Sequence, residues 1–434
     1  MVPLEILLLI ILLFLISIFI GLPVPLAILF GAGLFLPFIG RDFSLTVIAQ
    51  KLLSTFDKDP LFAILFFVAM GNFLLESRLS DVIVDFVDSL FGKMRGGLAV
   101  INIWGSTLFG GLTGAVVSDI AAVGGITIPA MKKRGYGGAF STAVATAAGI
   151  NGSMIPPSIN GLTYAIVNEM SVADVFFATA VPGVLYAILL SIGAVLISRK
   201  RGYKASEESF SVFRSGRLFF RTLPAMSIPL LLIILIYCGI ATPTESGALA
   251  VFAAIMLGAF GYRTLKMDGF KRALVSTCIS TGTIMFLVAS SFVLSYSFSM
   301  SGLTKGITDV FWAFSDSPNL LIFIVMVVVL ALGMILDAQA IIIIFSPIVL
   351  EIFRPLGVDP LHLSGIYVFA CLIGLMIPPV ASALVMGCAV GNEPLSAVVK
   401  ELLPFLGIAI FTLFICAYIP GLVVWLPRLL GYHG

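Results

Sequence analysis

The sequence carries little charge. Asp, Glu, Lys and Arg together make up 11% of its 434 residues, whereas 60% are hydrophobic. Soluble domains are typically about 25% charged and about 45–50% apolar, so this composition excludes an ordinary soluble domain. The mean hydropathy of +1.17 agrees. We therefore expect an all-α polytopic membrane protein.

Residues that build metal and catalytic sites are also scarce. The five cysteines stand singly in apolar segments, and the only histidines are His362 and His433, so no metal-ligand spacing is present. Glycine-rich runs such as "FGGLTG" lack the lysine of a nucleotide-binding loop. No nucleophile and base stand together. We expect a protein that is not an enzyme, has no cofactor and draws its energy from an ion gradient.

Basic residues are unevenly distributed, and this predicts the orientation. Residues 4–38 form an apolar stretch that is too long for a signal peptide, so we expect it to stay in the membrane. Residues 1–40 contain no Lys or Arg, and Arg428 is the only one after Pro404. The stretch 198–221 alone contains seven: Arg199, Lys200, Arg201, Lys204, Arg214, Arg217 and Arg221. By the positive-inside rule, the linker 198–222 is cytoplasmic and both termini are periplasmic.

The segments before and after this linker contain pairs of residues at the same separation in the sequence. Three pairs recur in the same order: Gly21–Pro25 and Gly239–Pro243, Asp119–Pro129 and Asp337–Pro347, Pro157–Pro182 and Pro379–Pro404. Two similar halves that each cross the membrane an odd number of times must be inverted relative to each other. We predict inverted repeats at 1–197 and 223–434.

Each repeat contains a segment that is too long for one span. Residues 98–131 and 320–353 are apolar, with glycine and one aspartate in the middle. One helix of that length would measure about 51 Å, against a hydrocarbon core of about 30 Å. We predict a re-entrant helical hairpin in each segment.

Each repeat also contains the tripeptide Ile-Pro-Pro, in the segments 139–166 and 363–391. Consecutive prolines remove backbone donors and interrupt a helix, and such a break persists in a membrane only where protein or a hydrated cavity surrounds it. Paired broken helices therefore indicate a transport site. Asp119 and Asp337 are polar-site candidates or helix N-caps, and both interpretations stand. Glu245, in "TPTESG", is interpreted as a helix cap.

These residues resemble the large membrane subunit of tripartite ATP-independent periplasmic (TRAP) transporters, within the ion transporter superfamily. The resemblance spans nearly the whole chain and includes "GAVVSDIAAVGGITIPAMKKRGY", "IPPSINGLTYAIV", "GIATPTESGALAV", "GMILDAQAIIIIFSPIVLEIF" and "IGLMIPPVASALV". It implies a sodium-coupled importer in the bacterial inner membrane. The implied cargo is an organic acid, such as a C4-dicarboxylate or a sialic acid, delivered by a soluble periplasmic binding protein. A small four-helix membrane subunit is the implied second partner.

The resemblance also implies an elevator mechanism, in which the hairpins and broken helices move as a transport domain against a scaffold of the other helices. The positions matching the family's sodium sites are Gly111, Gly114, Gly152, Pro156, Gly333, Asp337, Gly374 and Pro378. Those expected at the substrate site are Ser118, Asp119, Ser153 and Ser158. Gln339 stands where the family commonly has threonine. The alternative is a stand-alone ion-coupled transporter or antiporter of the same superfamily, which needs no binding protein.

Overall fold

The computed structural model describes residues 16–17, 20–34, 45–56, 59–91, 94, 96–203, 212–301, 306, 308–309, 311–312 and 317–432. Within these ranges, every regular element is a helix. The N-terminal stretch up to residue 15 and the middle of the linker, 204–211, lie outside the described residues.

The first half contains α1 (Val24–Leu34), α2 (Leu45–Phe56), α3 (Asp59–Glu76), α4 (Leu79–Phe91), α5 (Gly97–Thr113), α6 (Val116–Asp119), the π-helical segment π1 (Ile120–Gly124), α7 (Gly125–Lys133), α8 (Gly138–Gly152), α9 (Ile159–Val167) and α10 (Val172–Lys200). The second half contains α11 (Val212–Tyr237), α12 (Pro243–Met256), the π-helical segment π2 (Leu257–Gly261), α13 (Met267–Ser301), α14 (Pro318–Gly333), α15 (Ala338–Phe353), α16 (Pro360–Gly374), α17 (Ser382–Gly391), α18 (Leu395–Tyr418) and α19 (Pro420–Leu429).

Six helices in the described part of the chain are long and apolar enough to cross a membrane: Val172–Lys200, Ser215–Tyr237, Pro243–Gly261, Met267–Ser297, Ala338–Leu356 and Leu395–Tyr418. Ile48–Phe56 and Pro60–Glu76, which meet at a bend of 59°, together form a seventh candidate. The chain is therefore an all-helical, multi-pass membrane protein.

The segments predicted as hairpins and as broken helices are each divided in two. α5 ends at Thr113 with Gly114 as its C-cap, and α6, π1 and α7 return beside it as the first hairpin. α14 and α15 form the second hairpin. The first break (residues 153–158) separates α8 from α9, and the second break (residues 375–381) separates α16 from α17. The Pro156–Pro157 and Pro378–Pro379 peptide bonds are both cis.

The helices can be divided into two groups, which contact each other where α3 and α4 pack against α5. In the peripheral group, α3 contacts α12 and α13, and α11 contacts α4 and α12. In the central group, α8 contacts α5, α17 and α18, while α16 contacts α10 and α14. α16 is buried from Leu361 to Gly374, so it lies at the centre of the molecule. The hairpins and breaks thus belong to one packed body, which the peripheral helices flank.

Ion pairs connect the two halves at one end of the central group. The Lys132 ammonium at the end of α7 lies 2.6 Å from the carboxylate of Glu393 and also donates to the carbonyl of Gly391. The Arg201 guanidinium at the end of α10 lies 2.8 Å from Glu401. The linker that we predict to be cytoplasmic begins at this end.

Candidate functional site

The first break contacts the first hairpin through two glycines. A Cβ atom added to Gly110 would lie 2.0 Å from the Cα of Gly152, so the backbones of α5 and α8 touch. Glycine permits this approach because it has no side chain. Gly152 is a predicted sodium-site residue, whereas sequence reasoning missed Gly110.

Gly111 and Gly114, predicted at the tip of the first hairpin, also face the first break. A Cβ atom on Gly111 would lie 3.0 Å from the carbonyl oxygen of Pro156, and one on Gly114 would lie 2.8 Å from the amide nitrogen of Ile159. Gly114 has a positive φ of 64° and ends α5 with an N–H bond of 2.6 Å to the Gly110 carbonyl. The hairpin tip and the break therefore meet backbone to backbone.

The second half repeats this contact. A Cβ atom on Gly333, the last residue of α14, would lie 2.6 Å from the Cα of Gly374, the last residue of α16. The N–H of Val380 donates to the carbonyl of Met334 at 3.1 Å, and Pro378 lies two residues earlier in the same break. The structure thus brings together the three predicted residues Gly333, Gly374 and Pro378.

Asp119 lies inside the protein, next to the first break. Its side chain is fully buried, and its carboxyl carbon lies 3.3 Å from the position that a Cβ atom on Gly152 would occupy. Ser106 is a side-chain neighbour. Neither Asp119 oxygen completes a hydrogen bond among the described residues, and no ion pair of the described chain includes Asp119. An ionised carboxylate in such a place is costly unless a cation accompanies it.

Further buried oxygen atoms without a hydrogen-bond partner lie on the same helices and on the first break. They include the hydroxyls of Ser106 and Thr113 on α5, the amide oxygen of Asn151 in the last turn of α8 and the hydroxyl of Ser153 in the first break. Oxygen donors suit a hard cation, and carbonyls freed by a helix break add to them. These residues therefore fit a sodium ion. Ser106 and Thr113 were missed, although the polar residues Asn102, Ser106 and Thr113 recur at helical intervals along apolar α5.

Asp337 plays a different part from Asp119. It is the N-cap of α15, and its carboxylate accepts the N–H of Gln339 at 3.0 Å. The corresponding N-cap of α6 in the first hairpin is Ala115, and the interval from Ala115 to Asp337 equals that from Pro157 to Pro379. The matched Asp119–Pro129 and Asp337–Pro347 spacings therefore do not mark equivalent positions. The cap interpretation is confirmed for Asp337 and is wrong for Asp119.

The three predicted serines are placed differently. Ser158 is the N-cap of α9: its hydroxyl accepts the N–H of Gly161 at 3.2 Å and donates to the carbonyl of Ser153. The hydroxyl of Ser153 is buried without a partner, and Ser118 is half-buried beside Asp119 on α6. Ser158 thus stabilises the turn of the break, whereas the Ser153 hydroxyl can donate a hydrogen bond to a ligand or accept one from it.

Side chains connect the two halves across the centre. The Gln339 amide donates to the Asn160 carbonyl oxygen at 2.8 Å and accepts from the Thr163 hydroxyl at 2.9 Å. Further along the same helices, the Asn168 amide donates to the Ser346 hydroxyl at 2.7 Å. α9 and α15 therefore lie side by side and run in the same direction, and their N-termini begin together at the centre. Helix N-termini favour an anion through their N–H groups, of which Ser158 already accepts one from α9 and Asp337 one from α15.

We predict that Gln339→Leu destabilises the protein by about 1–3 kcal/mol, because the Asn160 oxygen loses its donor in a buried setting. The single proton of the Thr163 hydroxyl is shared between the Gln339 oxygen and the Ile159 carbonyl at 2.8 Å, so after the substitution the hydroxyl keeps the Ile159 carbonyl as its acceptor. Thermal and denaturant unfolding of the purified protein measure the effect. The control is Gln50→Leu at an exposed position of α2, where we expect a change within about 0.5 kcal/mol. Equal stability of the two variants would contradict a stabilising role for the hydrogen bond between Gln339 and Asn160.

Solved structures show the same fold. The chain is similar to the YdaH transporter of Alcanivorax borkumensis, with a TM-score of 0.60 and 16% identity over 88% of this chain and 89% of that chain. It is also similar to MtrF of Neisseria gonorrhoeae, with a TM-score of 0.53 and 12% identity over 86% of this chain and 84% of that chain. At this identity, the likeness concerns the fold alone.

Sequence relatives extend over almost the whole chain. The sialic acid TRAP transporter large permease protein SiaM of Vibrio cholerae is 30% identical over 95% of this chain and 97% of the relative. The C4-dicarboxylate TRAP transporter large permease protein DctM of Pseudomonas aeruginosa is 33% identical over 89% and 91%. Because these relatives are large permeases of tripartite systems, the stand-alone alternative is not favoured.

The family described as "Tripartite ATP-independent periplasmic transporter, DctM component" matches residues 9–422. The resemblance stated from the sequence is confirmed, and so is the expectation that the protein is not an enzyme. The chain belongs to the DctM component family of TRAP transporters, the large membrane permease subunits.

Proposed function

We propose that this chain is the large permease subunit of a sodium-coupled importer of an organic acid. The observation that carries the proposal is the buried Asp119 carboxylate, which lies beside Gly152 and Ser106 and whose oxygens have no partner among the described residues; the buried oxygens of Asn151 and Ser153, at the same end of α8, also lack one. A cation at that place balances the carboxylate and supplies the partners that these oxygens lack.

The substrate class follows from the helix termini and from the relatives. No Lys or Arg stands in the two breaks or at the two hairpin tips, so a carboxylate there meets helix N–H groups and hydroxyls. The N-termini of α9 and α15, side by side at the centre, offer such groups. The named cargoes of relatives, sialic acid, C4-dicarboxylate and 2,3-diketo-L-gulonate, are acids. An organic-acid substrate is therefore consistent with the helix termini and with the cargoes named for the relatives.

Coupling between sodium and substrate has an electrostatic origin in this proposal. Asp119 and Asp337 place two carboxylates near the region where the acid binds, and neither forms an ion pair in the described part of the chain. An anionic substrate is repelled until cations neutralise this charge. Sodium thus raises the affinity for the acid, and the acid raises the affinity for sodium by the same factor.

The movement we propose is of the elevator type. The hairpins and broken helices of two inverted repeats form the transport domain, and the peripheral helices α1–α4 and α11–α13 form the scaffold. The extensive contacts within each group, α3 with α12 and α8 with α5 among them, support this division. The basic linker faces the cytoplasm and both termini face the periplasm, and a soluble binding protein delivers the acid with the help of the small membrane subunit.

Uptake into proteoliposomes tests the proposal. The large and small subunits are reconstituted together, and a labelled acid is offered with its binding protein under an inward sodium gradient. We expect uptake that falls by about tenfold or more when potassium replaces sodium, or when the binding protein is left out. Uptake that is equal in potassium would rule out sodium coupling, and equal uptake without the binding protein would rule out the tripartite route.

A further inference from the structure

A cluster of unpaired cations lies on the peripheral helices. Arg217 and Arg221 stand one helical turn apart on α11, and Arg263 and Lys266 lie in the turn between π2 and α13. The Tyr262 hydroxyl donates to the carbonyl of Arg221, which joins the turn to α11. Arg217 and Arg221, four residues apart, lie on one face of α11, and the Tyr262 contact brings the turn with Arg263 and Lys266 to the same end of that helix, so the four cations share one region of the surface. We name it the basic corner.

The cations of the basic corner are available for a ligand. All four side chains are exposed, and none forms a hydrogen bond or an ion pair among the described residues. The neighbouring carboxylate of Glu76 is already taken, because Arg272 binds it at 2.7 Å. Asp268 interacts with the same Arg272. The nearby acids Glu76 and Asp268 therefore act on Arg272, while Asp81, Asp85 and Asp88 stand on α4, which packs against α11.

Large apolar side chains accompany these cations. Phe220 is 71% exposed, Phe260 is 69% exposed and Met267 is 68% exposed, and each stands within three residues of a cation of the corner. Leu223 on α11 and Val275 on α13 are also exposed apolar side chains, on helices that are long enough to span the bilayer. The corner therefore lies where a hydrocarbon surface meets a charged end.

We propose that the basic corner binds the phosphate of an anionic phospholipid, whose acyl chains lie along the apolar surface below it. Guanidinium groups match phosphate oxygens in paired hydrogen bonds, and juxtamembrane Lys and Arg attract anionic headgroups. A free phosphate satisfies the cations and leaves Phe220, Phe260 and Met267 in water. A lipid covers both surfaces.

Native mass spectrometry of the purified protein tests this. We expect dioleoyl phosphatidylglycerol to be retained about tenfold more strongly than dioleoyl phosphatidylcholine, and the difference to vanish in Arg221→Gln/Arg263→Gln/Lys266→Gln. The matched control is Lys133→Gln/Arg134→Gln, which removes two exposed cations at the end of α7 and should leave the preference unchanged. Retention of the preference in the triple variant, or its equal loss in the control, would overturn the proposal.

Two further arms separate the possible ligands. Glycerol phosphate, which has the headgroup phosphate and no chains, should not displace phosphatidylglycerol at equal concentration; displacement would mean a site for free phosphate. If the triple variant does not fold, the wild type suffices: raising the salt concentration should abolish the preference for phosphatidylglycerol, and a salt-independent preference would contradict the role of the cations. Neither arm needs substrate or sodium transport, so the result is independent of the proposed function.

Discussion

Asp119→Asn is expected to abolish sodium-driven uptake while leaving the fold intact. The change keeps the size of the side chain and removes its charge, so the cation at the first break loses its strongest ligand. An interaction with a charged group contributes about 1.5–3 kcal/mol, which corresponds to sodium binding that is about 10- to 100-fold weaker. Uptake in proteoliposomes under a sodium gradient measures the loss.

The stability of the same variant separates a binding role from a structural one. In sodium-free buffer, we expect Asp119→Asn to be no less stable than the wild type, because the wild-type carboxylate is buried without a partner. Adding sodium at about 100 times its dissociation constant should stabilise the wild type by about 2.7 kcal/mol and the variant far less. Thermal unfolding with and without sodium shows the difference.

The control is Asp174→Asn, the same substitution in the first turn of α10, at a half-buried position away from both breaks. It should cost at most about 1 kcal/mol, the value of a helix-terminal charge, and leave uptake and sodium-dependent stabilisation unchanged. An Asp119→Asn variant that kept both properties would remove Asp119 from the sodium site. A variant that lost stability without sodium would assign it a structural role.

Composition and proline were sufficient to predict much of the fold. The low charge predicted a helical membrane protein, and the Ile-Pro-Pro tripeptides predicted the two breaks because proline acts on its own segment whatever the surroundings. The cap formed by Glu245 was also predicted from a short local motif, "TPTESG". Its carboxylate accepts the N–H of Thr242 at 2.8 Å in a capping box. Signals of this kind are local, so they can be read along the sequence.

Contacts between distant segments were harder to predict. Gly111 and Gly114 were placed at the tip of the first hairpin, but Gly110, which makes the closest backbone contact, looks no different in the sequence. The unequal roles of Asp119 and Asp337 were hidden as well, because equal spacing to a proline suggested equivalence, whereas the N-cap of α6 is Ala115. The bridge from Gln339 to Asn160 depends on packing between the two halves, which no local pattern encodes.

Gly110→Ala should cause the second large loss. The added methyl group would lie 2.0 Å from the Cα of Gly152, so α5 and α8 must separate. Overpacking of this kind costs about 1–3 kcal/mol. The larger effect concerns transport, because the separation moves Ser106 and Asp119 away from the first break, and we expect uptake to fall by at least about tenfold. Gly333→Ala should act in the same way, since its methyl group would meet Gly374 at 2.6 Å.

Gly282→Ala is the matched control, because a methyl group at this position of α13 has no atom within 4 Å. Alanine favours a helix over glycine by about 1 kcal/mol, so this variant should be slightly more stable than the wild type and should transport normally. The comparison holds the chemistry of the substitution constant and varies only what the methyl group meets. If Gly110→Ala behaved like Gly282→Ala, the contact between hairpin and break would not set the geometry of the site; opposite behaviour of the two would show that close backbone approach at the break is required for transport.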